Sequence, residues 1–311
     1  MSINNYQDGA VSKRNWLISL IACAGISSIP ITVRAQAVLP YVPQLDSEKL
    51  EIQGLQLLQD ALQLIRFQQY DLALPRAELA TQLAPNNYDV WFILGSLYIQ
   101  QEQLDKGIKV LKKAENLAPE QEGILFNLGN AYFQKGEYEL AQEKLEAGLE
   151  IESNSPEAVE ALFDLGNTYL KMEEYDDAIE SYEEAYAKEA TFWPALNNVG
   201  LVEYEQGDLN DAIEKWEAVI EVDREQAEPQ LALAVALFTE GEVERAIELG
   251  KAALELDSRY ADIQFLKDNL WGETLIEDTR EFLSNPQIQE VVSNSQEFAP
   301  EENSELPTVP Q

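Results

Sequence analysis

The side chains of this chain that could do chemistry are almost all carboxylates. Its 311 residues include 57 Asp and Glu against 21 Lys and Arg, with no histidine and one cysteine, Cys23. Neighbouring carboxylates such as Asp176 and Asp177 could act as general acid and base, but at a net charge of −36 such pairs are expected on solvated faces. The sequence has no phosphate-binding loop, nucleophile elbow, HExxH motif or metal-ligand spacing. We therefore predict that the protein is not an enzyme and has no catalytic, cofactor-binding or metal site.

The strong negative charge also limits the class of partner. Sequence-independent binding of nucleic acids requires clustered Lys and Arg to neutralise phosphates, and the sequence has no such cluster. The acidic residues can keep the surface solvated, or they can favour a basic partner. The composition therefore predicts no nucleic-acid partner and leaves both interpretations of the acidity open.

The N-terminal region, residues 1–37, has the pattern of an export signal. Lys13 and Arg14 precede an uncharged, largely apolar stretch, and small residues follow it at Ala35 and Ala37. A basic start, an apolar middle and small residues at a cleavage point are typical of a secretory signal peptide. This pattern predicts cleavage after Ala37.

Two alternatives to a cleaved signal remain. The residues before Cys23 resemble a bacterial lipobox, in which the cysteine is lipidated after cleavage. The uncharged stretch 15–33 has 19 residues and could instead form an uncleaved membrane anchor. All three interpretations place the body of the protein outside the cytoplasm. Residues 38–45, with Pro40 and Pro43, are predicted to be a short linker.

A period of 34 residues organises the rest of the chain, because Gly or Ala recurs at three places in each period, with Val219 as the exception. These are Ala61, Gly95, Gly129, Gly166, Gly200 and Ala234 at the first place, Ala73, Gly107, Ala141, Ala178, Ala212 and Ala246 at the second, and Ala80, Ala114, Gly148, Ala185, Val219 and Ala253 at the third. Each period also carries two stretches with apolar residues at helical spacing, separated by a short break. A fixed period of this length predicts an all-α stack of helical hairpins whose backbones touch at the small residues.

The repeats resemble tetratricopeptide repeats (TPRs). The residues of one unit that match the TPR signature best are Trp91, Leu94, Gly95, Tyr98, Leu111, Ala114 and Pro119. The resemblance implies a right-handed superhelical solenoid of six TPR helical hairpins plus a C-terminal capping helix. The array is predicted to span 46–260, with units at 54–87, 88–121, 122–158, 159–192, 193–226 and 227–260.

The chain beyond the array is predicted to have two parts. Residues 261–283 have the apolar residues of a capping helix, or of two helices, and Trp271 either seals the last hairpin or forms a docking feature. Residues 284–311 are polar, acidic and interrupted by prolines, which predicts a disordered acidic tail.

The TPR resemblance also implies a ligand-binding surface, because the first helix of every unit lines the concave face of a TPR array. The candidate contacts on these helices are Phe92, Ser96, Phe126, Asn130, Phe133, Phe163, Asn167, Asn197 and Tyr204. Asparagine can hydrogen-bond to a peptide backbone and the aromatic rings can receive apolar side chains. The alternative is that these residues serve packing, since they are common in TPR sequences whatever the ligand.

The charges missing from this face indicate what kind of partner it takes. TPR proteins that hold chaperone C-terminal carboxylates use Lys and Arg on these helices, and here Lys171 alone lies nearby. An acidic peptide would therefore meet like charge. We predict that the groove is not a chaperone C-terminal carboxylate clamp and that it favours a helical, apolar or basic segment of a protein partner.

The function that these features predict is a non-catalytic scaffold or adaptor for protein–protein interaction. The alternatives are a non-catalytic subunit required for a partner enzyme's activity and a structural protein that organises a membrane. The N-terminus, the acidic array and residues 266–283 also resemble TPR accessory proteins of cyanobacterial and plastid photosynthetic membranes. This resemblance implies an assembly or biosynthesis factor at a thylakoid membrane, within a predicted location that is membrane-associated, periplasmic or thylakoid.

Overall fold

The computed structural model describes residues 46–297, and the side chains of this part through residue 294. This part consists of fifteen α-helices and one short 3₁₀ helix. None of these helices has the length and apolar character needed to cross a membrane. The predicted signal at 1–37, with Ala35, Ala37 and Cys23, and the linker at 38–45 lie outside the described residues.

Twelve of the helices form six hairpins, which are called units 1 to 6. The hairpins are α1 (Ser47–Arg66) with α2 (Tyr70–Leu83), α3 (Tyr88–Gln100) with α4 (Leu104–Leu117), α5 (Glu122–Lys135) with α6 (Tyr138–Ile151), α7 (Glu157–Lys171) with α8 (Tyr175–Lys188), α9 (Trp193–Gln206) with α10 (Leu209–Val222), and α11 (Ala227–Glu240) with α12 (Val243–Leu256). The second helix of each unit packs against the first helix of the next unit. The predicted all-α solenoid of six hairpins is confirmed.

In units 2 to 5, the glycine at the first repeated place leaves room for one bulky side chain of the second helix. A Cβ atom added to Gly129 would lie 2.5 Å from Cγ of Leu145, and one added to Gly166 would lie 2.5 Å from the ring of Tyr182. Real Cβ atoms do not approach other atoms this closely, so a larger residue would push the two helices apart. Overpacking of this kind costs roughly 1–3 kcal/mol. The period of small residues therefore reports on helix contact within a hairpin.

The capping segment at 261–283, for which the sequence predicts one helix or two, contains two short helices. A 3₁₀ turn at Ser258–Ala261 leads into α13 (Ile263–Asp268), and α14 (Glu273–Leu283) follows after a break. The break occurs at Leu270, whose φ of 68° is left-handed and ends α13. It turns the chain so that α14 packs against α9 and α11.

A further helix, α15 (Pro286–Glu297), lies in the region predicted to be a disordered tail. That prediction, for 284–311, is wrong for 286–297, because Ile288 is fully buried and packs in the core that includes Phe282. The side chain of Asn285 accepts the backbone N–H of Gln287, and proline suits the first position of a helix. Composition alone predicted disorder because one buried residue in a polar segment gives a weak signal. Residues 298–311 lie outside the described part.

Candidate protein-binding groove

The first helices of the units form the inner surface of the array. Besides their contacts within the hairpins, α1 touches α3, α3 touches α5, and α5 touches α7. Helices that meet in this way lie on the closer-packed side of a curved stack. This surface, made by α1, α3, α5, α7, α9 and α11, is called the groove below. All nine residues proposed as partner contacts lie on these helices, and four of them are buried: Phe126, Asn167, Asn197 and Tyr204.

Helix α14 of the same chain occupies the groove over units 5 and 6. The carboxylate of Glu205 on α9 accepts the backbone N–H groups of Thr274 at 3.1 Å and Leu275 at 2.9 Å. These N–H groups belong to the first turn of α14 and have no partner within the helix. The hydroxyl of Tyr204 donates to Asp278 at 2.6 Å. The groove thus holds a helix by capping its N-terminus and by a hydrogen bond from an aromatic side chain.

Trp271 lies at the start of this docked segment and closes the last unit. Its indole Nε1 donates to Glu228 at 2.9 Å, and the hydroxyl of Tyr260 donates to the same carboxylate at 3.3 Å. Burial raises the pKa of Glu228, against the opposing effect of these hydrogen bonds. Because Trp271 is 4% exposed, it seals the hairpin and offers no surface for docking.

The polar residues in the first half of the groove form hydrogen bonds from one unit to the next. Ser96 donates to Asn127 at 3.1 Å, which joins units 2 and 3. Asn130 donates to Asp164 at 2.9 Å, which joins units 3 and 4. Gln134 also donates to the amide oxygen of Asn130. Much of the hydrogen-bonding capacity predicted to serve a ligand therefore serves the stack itself.

A buried cluster continues this pattern between units 4 and 5. The amide oxygen of Asn167 accepts the hydroxyl of Tyr182 at 2.7 Å and the amide of Asn198 at 3.1 Å. Asn197 donates to Asn198 at 3.2 Å, while its own amide oxygen has no hydrogen-bond partner. Asn198 was missed by the sequence analysis. It directly follows Asn197, and that adjacency was the available signal.

The aromatic candidates divide into buried and partly exposed groups. Phe126 and Tyr204 are buried. Phe163 is half-buried and makes an edge contact with Phe192 at a centroid distance of 5.4 Å. Phe133 is also half-buried and contacts the ring of Tyr138 at a centroid distance of 5.7 Å. Phe92 is half-buried and lines an apolar depression between α1 and α3, so it is the aromatic candidate best placed to receive an apolar side chain.

An apolar depression of about 620 Å³ lies between α1 and α3. Ile52, Leu55 and Leu62 line it from α1, and Phe92 and Ile93 line it from α3. Ile52 is 51% exposed, which is unusual for a large apolar side chain. The sequence analysis did not propose the residues of α1, although their helical spacing gave a signal. We count this depression as part of the groove.

The charged residues near the open part of the groove are mainly acidic. Asp89 and Glu122 raise the pKa of the Tyr88 hydroxyl, and the effect of Asp89 is the larger. Removal from water raises the pKa of Asp164 to about 6, although the hydrogen bond from Asn130 acts in the opposite direction. Glu160 raises the pKa of Asp164 further. Burial thus dominates the shift of Asp164, whereas the neighbouring carboxylates dominate the shift of Tyr88.

No metal-binding cluster is formed by the part of the chain that the structure describes. Groups of three or more Asp, Glu, His or Cys side chains that could hold an ion do not occur between residues 46 and 297. The carboxylates at the groove instead accept hydrogen bonds from protein groups, as Glu205 and Asp164 do.

Models of known families match several parts of the chain. Tetratricopeptide-repeat models match residues 95–136, 120–188 and 199–261. A model of the ChAPs family, described as Chs5p-Arf1p-binding proteins, matches residues 35–114. No curated protein matches the chain.

Solved structures with the same fold include proteins of distant sequence. The Pseudomonas aeruginosa protein pilF is 15% identical with a TM-score of 0.60, and the match covers 72% of this chain and 98% of pilF. PilW, described as a widely conserved type IV pilus biogenesis factor, is 21% identical with a TM-score of 0.60, and the match covers 70% and 98%. MamA from Desulfovibrio magneticus RS-1 is 19% identical with a TM-score of 0.51, and the match covers 58% and 97%. At these identities the likeness concerns the fold. Taken with the repeat models, it shows that this chain is a tetratricopeptide-repeat protein.

Proposed function

We propose that this protein is a non-catalytic adaptor that holds a helical segment of a partner protein on the groove of units 1 to 4. An extended peptide needs hydrogen-bond partners for its backbone, whereas a helix satisfies its own backbone groups. The side chains of Ser96, Asn127 and Asn130 already bond within the array. The exposed apolar surface of Ile52 and Phe92 remains available. A helix with an apolar face fits this supply of contacts better than an extended peptide does.

The observation that carries the proposal is the helix already seated in the groove. Helix α14 lies against α9 and α11, the first helices of units 5 and 6. The same type of surface continues over units 1 to 4, where no other segment of residues 46–297 covers it. The position of α14 therefore supports a helix as the occupant of the groove over units 1 to 4.

The charge near the groove supports a partner segment with basic residues. Asp89, Glu122, Glu160 and Asp164 lie on the first helices of units 2 to 4. Lys or Arg on the polar side of a bound helix would face these carboxylates, whereas an acidic segment would be repelled. A carboxylate clamp for acidic chaperone termini remains excluded from the proposal for the same reason.

The proposed site of action is a membrane outside the cytoplasm. The support comes from the sequence, since Lys13, Arg14 and the apolar stretch at 15–33 have the pattern of an export signal or an anchor. The resemblance of residues 266–283 to photosynthetic accessory proteins supports a thylakoid membrane and a role in assembly or biosynthesis. Sequencing the mature N-terminus tests this part, because an unprocessed, unlipidated chain recovered in the cytoplasm would contradict it.

Site-specific photo-crosslinking tests the groove. Phe92 is replaced by a photoreactive phenylalanine in the full chain, the protein is crosslinked in its native cells, and the attached segment is mapped by mass spectrometry. Leu79 on α2 is 43% exposed and provides a matched position outside the groove. We expect Phe92 to capture a defined segment with an apolar helical face and Lys or Arg on its other side.

A second substitution, made in the protein with the photoreactive residue at position 92, tests whether the adduct depends on the apolar depression. Ile52→Glu places a charge beside Phe92 without touching the buried core, and it should abolish the adduct. Equal adducts from positions 92 and 79, or a captured segment without a helical apolar face, would contradict the proposal. Persistence of the Phe92 adduct in Ile52→Glu would contradict the assigned position.

A further inference from the structure

The outer surface of the array has furrows where the second helices of successive units lie side by side. One furrow of about 410 Å³ runs between α6 and α8, with α7 as its floor. Another of about 470 Å³ runs between α10 and α12, with α11 as its floor. Glu146 and Glu217 hold the same place in the repeat, as do Glu180 and Glu248. Equivalent positions of the repeat therefore line both furrows.

Lysines of the chain itself cross two of these furrows. Between α4 and α6, the ammonium of Lys144 lies 2.9 Å from Glu115, and the lysine side chain is only 17% exposed. Between α8 and α10, Lys215 lies 3.3 Å from Glu183. Lys144 and Lys215 occupy the same place in the repeat. These two furrows show that this surface can cover the stem of a lysine and pair its charge with a carboxylate.

The furrow between α6 and α8 has no such lysine. The equivalent place is held by Ser181, which is buried and donates its hydroxyl to the backbone carbonyl of Asp177 at 2.8 Å. The carboxylates that line this furrow are Glu146, Glu150, Asp177, Glu180 and Glu184, and its lining includes neither Lys nor Arg. The lining of the α10–α12 furrow, by contrast, includes Arg245, which pairs with Glu217. Glu184 forms an ion pair with Lys188 of the same helix at 3.2 Å. The α6–α8 furrow thus has several carboxylates and no Lys or Arg in its lining.

One carboxylate of this furrow is held in place and keeps an acceptor free. Tyr169 donates to Oε1 of Glu146 at 2.7 Å, and Gln142 donates to the same oxygen at 2.8 Å. The second oxygen of Glu146 retains its capacity to accept a hydrogen bond. Leu162 and Leu165 from α7 are buried and form the apolar floor beneath.

We propose that the α6–α8 furrow binds a lysine or arginine side chain of a basic partner protein. The aliphatic stem lies over the leucine floor, and the charged end meets Glu146 and the carboxylates of α8. The partner is assigned from charge complementarity and from Lys144 and Lys215, which place a cation in the neighbouring furrows. The surface belongs mainly to the second helices, outside the groove, so this inference does not rest on the proposed function.

Peptide titration of the isotope-labelled full chain tests the assignment by NMR. The probe is a short blocked peptide with one central lysine between apolar residues, and the matched probe has norleucine in its place. We expect the lysine peptide to shift the amide signals of α6 and α8, and the norleucine peptide to leave them unchanged. Equal shifts with both peptides, or lysine-dependent shifts spread evenly over the array, would overturn the proposal.

Two substitutions, Ser181→Lys and Lys144→Ser, exchange which furrow contains a lysine of the chain itself. Ser181→Lys places a lysine of the chain itself in the α6–α8 furrow, and it should lower the affinity for the lysine peptide by about fivefold or more. Ser293→Lys adds the same charge at an exposed site on α15 and should leave its affinity nearly unchanged. Lys144→Ser opens the α4–α6 furrow and should create new shifts on those helices. An equal loss of peptide affinity in Ser181→Lys and Ser293→Lys would contradict the inference. The absence of new shifts in Lys144→Ser would also contradict it. Circular dichroism checks that each variant is folded.

Discussion

At the scale of single residues, the asparagines of the groove act as ties between neighbouring units. Asn167 is 7% exposed and accepts hydrogen bonds from Tyr182 and Asn198, which belong to units 4 and 5. A buried donor that loses its acceptor keeps its desolvation cost, which is about 1–3 kcal/mol. The amide oxygen of Asn167 thus already bonds to groups of the array, and the proposed ligand must bind elsewhere on the groove.

Replacement of Asn167 by alanine measures how much these hydrogen bonds contribute to the free energy of unfolding. Asn167→Ala leaves the Tyr182 hydroxyl and the Asn198 amide without their shared acceptor, so we expect the free energy of unfolding to fall by about 1–3 kcal/mol. Urea unfolding followed by circular dichroism gives the value. Gln100→Ala, at the exposed end of α3, should leave stability unchanged. Equal stability of Asn167→Ala and the wild type would show that the network contributes nothing.

The half-buried carboxylate of Asp164 makes stability depend on pH. Its pKa rises from 3.8 to about 6 in the folded protein, so the folded state binds more protons than the unfolded state between these values. The stabilising effect of the proton is complete below about pH 4 and is lost as the pH rises through about 6. Asp164→Asn removes this titration while it preserves an acceptor for Asn130.

The expected result is a difference in stability that grows with pH. Relative to the wild type, Asp164→Asn should gain up to ~3 kcal/mol between about pH 4 and pH 7, since the shift of about two pKa units corresponds to that free energy. Urea unfolding of both proteins across this range measures the difference. Asp60→Asn, at an exposed site, should follow the wild type. A constant difference between Asp164→Asn and the wild type would mean that Asp164 does not titrate in this window.

At the scale of elements, α14 depends on a side chain from another helix. Its N-cap residue, Gly272, has no side-chain oxygen, and Glu205 of α9 takes the capping role. A Cβ at position 272 would collide with the side chain of Glu205. Gly272 therefore leaves room for the side chain of Glu205, and Glu205 caps the helix and holds it on the groove.

Glu205→Ala should loosen α14 selectively. Loss of a capping acceptor costs about 0.5–2 kcal/mol, and here the cost falls on one docked helix. Hydrogen exchange read by mass spectrometry should show faster exchange in Glu273–Leu283 and little change in units 1 to 3. Glu240→Ala, at the exposed end of α11, is the matched control. Unchanged protection of α14 in Glu205→Ala would refute the capping role.

At the scale of the described part of the molecule, the apolar core is concentrated toward the C-terminal end. The largest buried cluster joins units 5 and 6 with α13, α14 and α15, whereas smaller separate clusters serve the earlier units. Stacked repeats need a terminal element to cover the last apolar face. Three short helices provide it here, and they also leave the groove open only over the earlier units.

Removal of α15 tests how much this cover contributes. A chain that ends at Asn285 loses Ile288, which is fully buried, and exposes the side chain of Phe282 beneath it. We expect the free energy of unfolding to fall by about 2 kcal/mol or more relative to a chain that ends at Glu297. Urea unfolding of the two chains gives the comparison. Equal stability would show that α15 is dispensable to the core.

The sequence determined the local pattern of this protein, and the tertiary structure decided how the surfaces are used. The period of small residues predicted six hairpins and their helices because packing between adjacent helices depends on residues at fixed spacing. The same pattern could not show that Asn167 bonds to Asn198, or that Tyr204 meets Asp278, which is 74 residues away. It also could not show that α14 lies on the groove. Such features arise only when separate units are brought together in space, because burial and charge pairing depend on neighbours that the period does not specify.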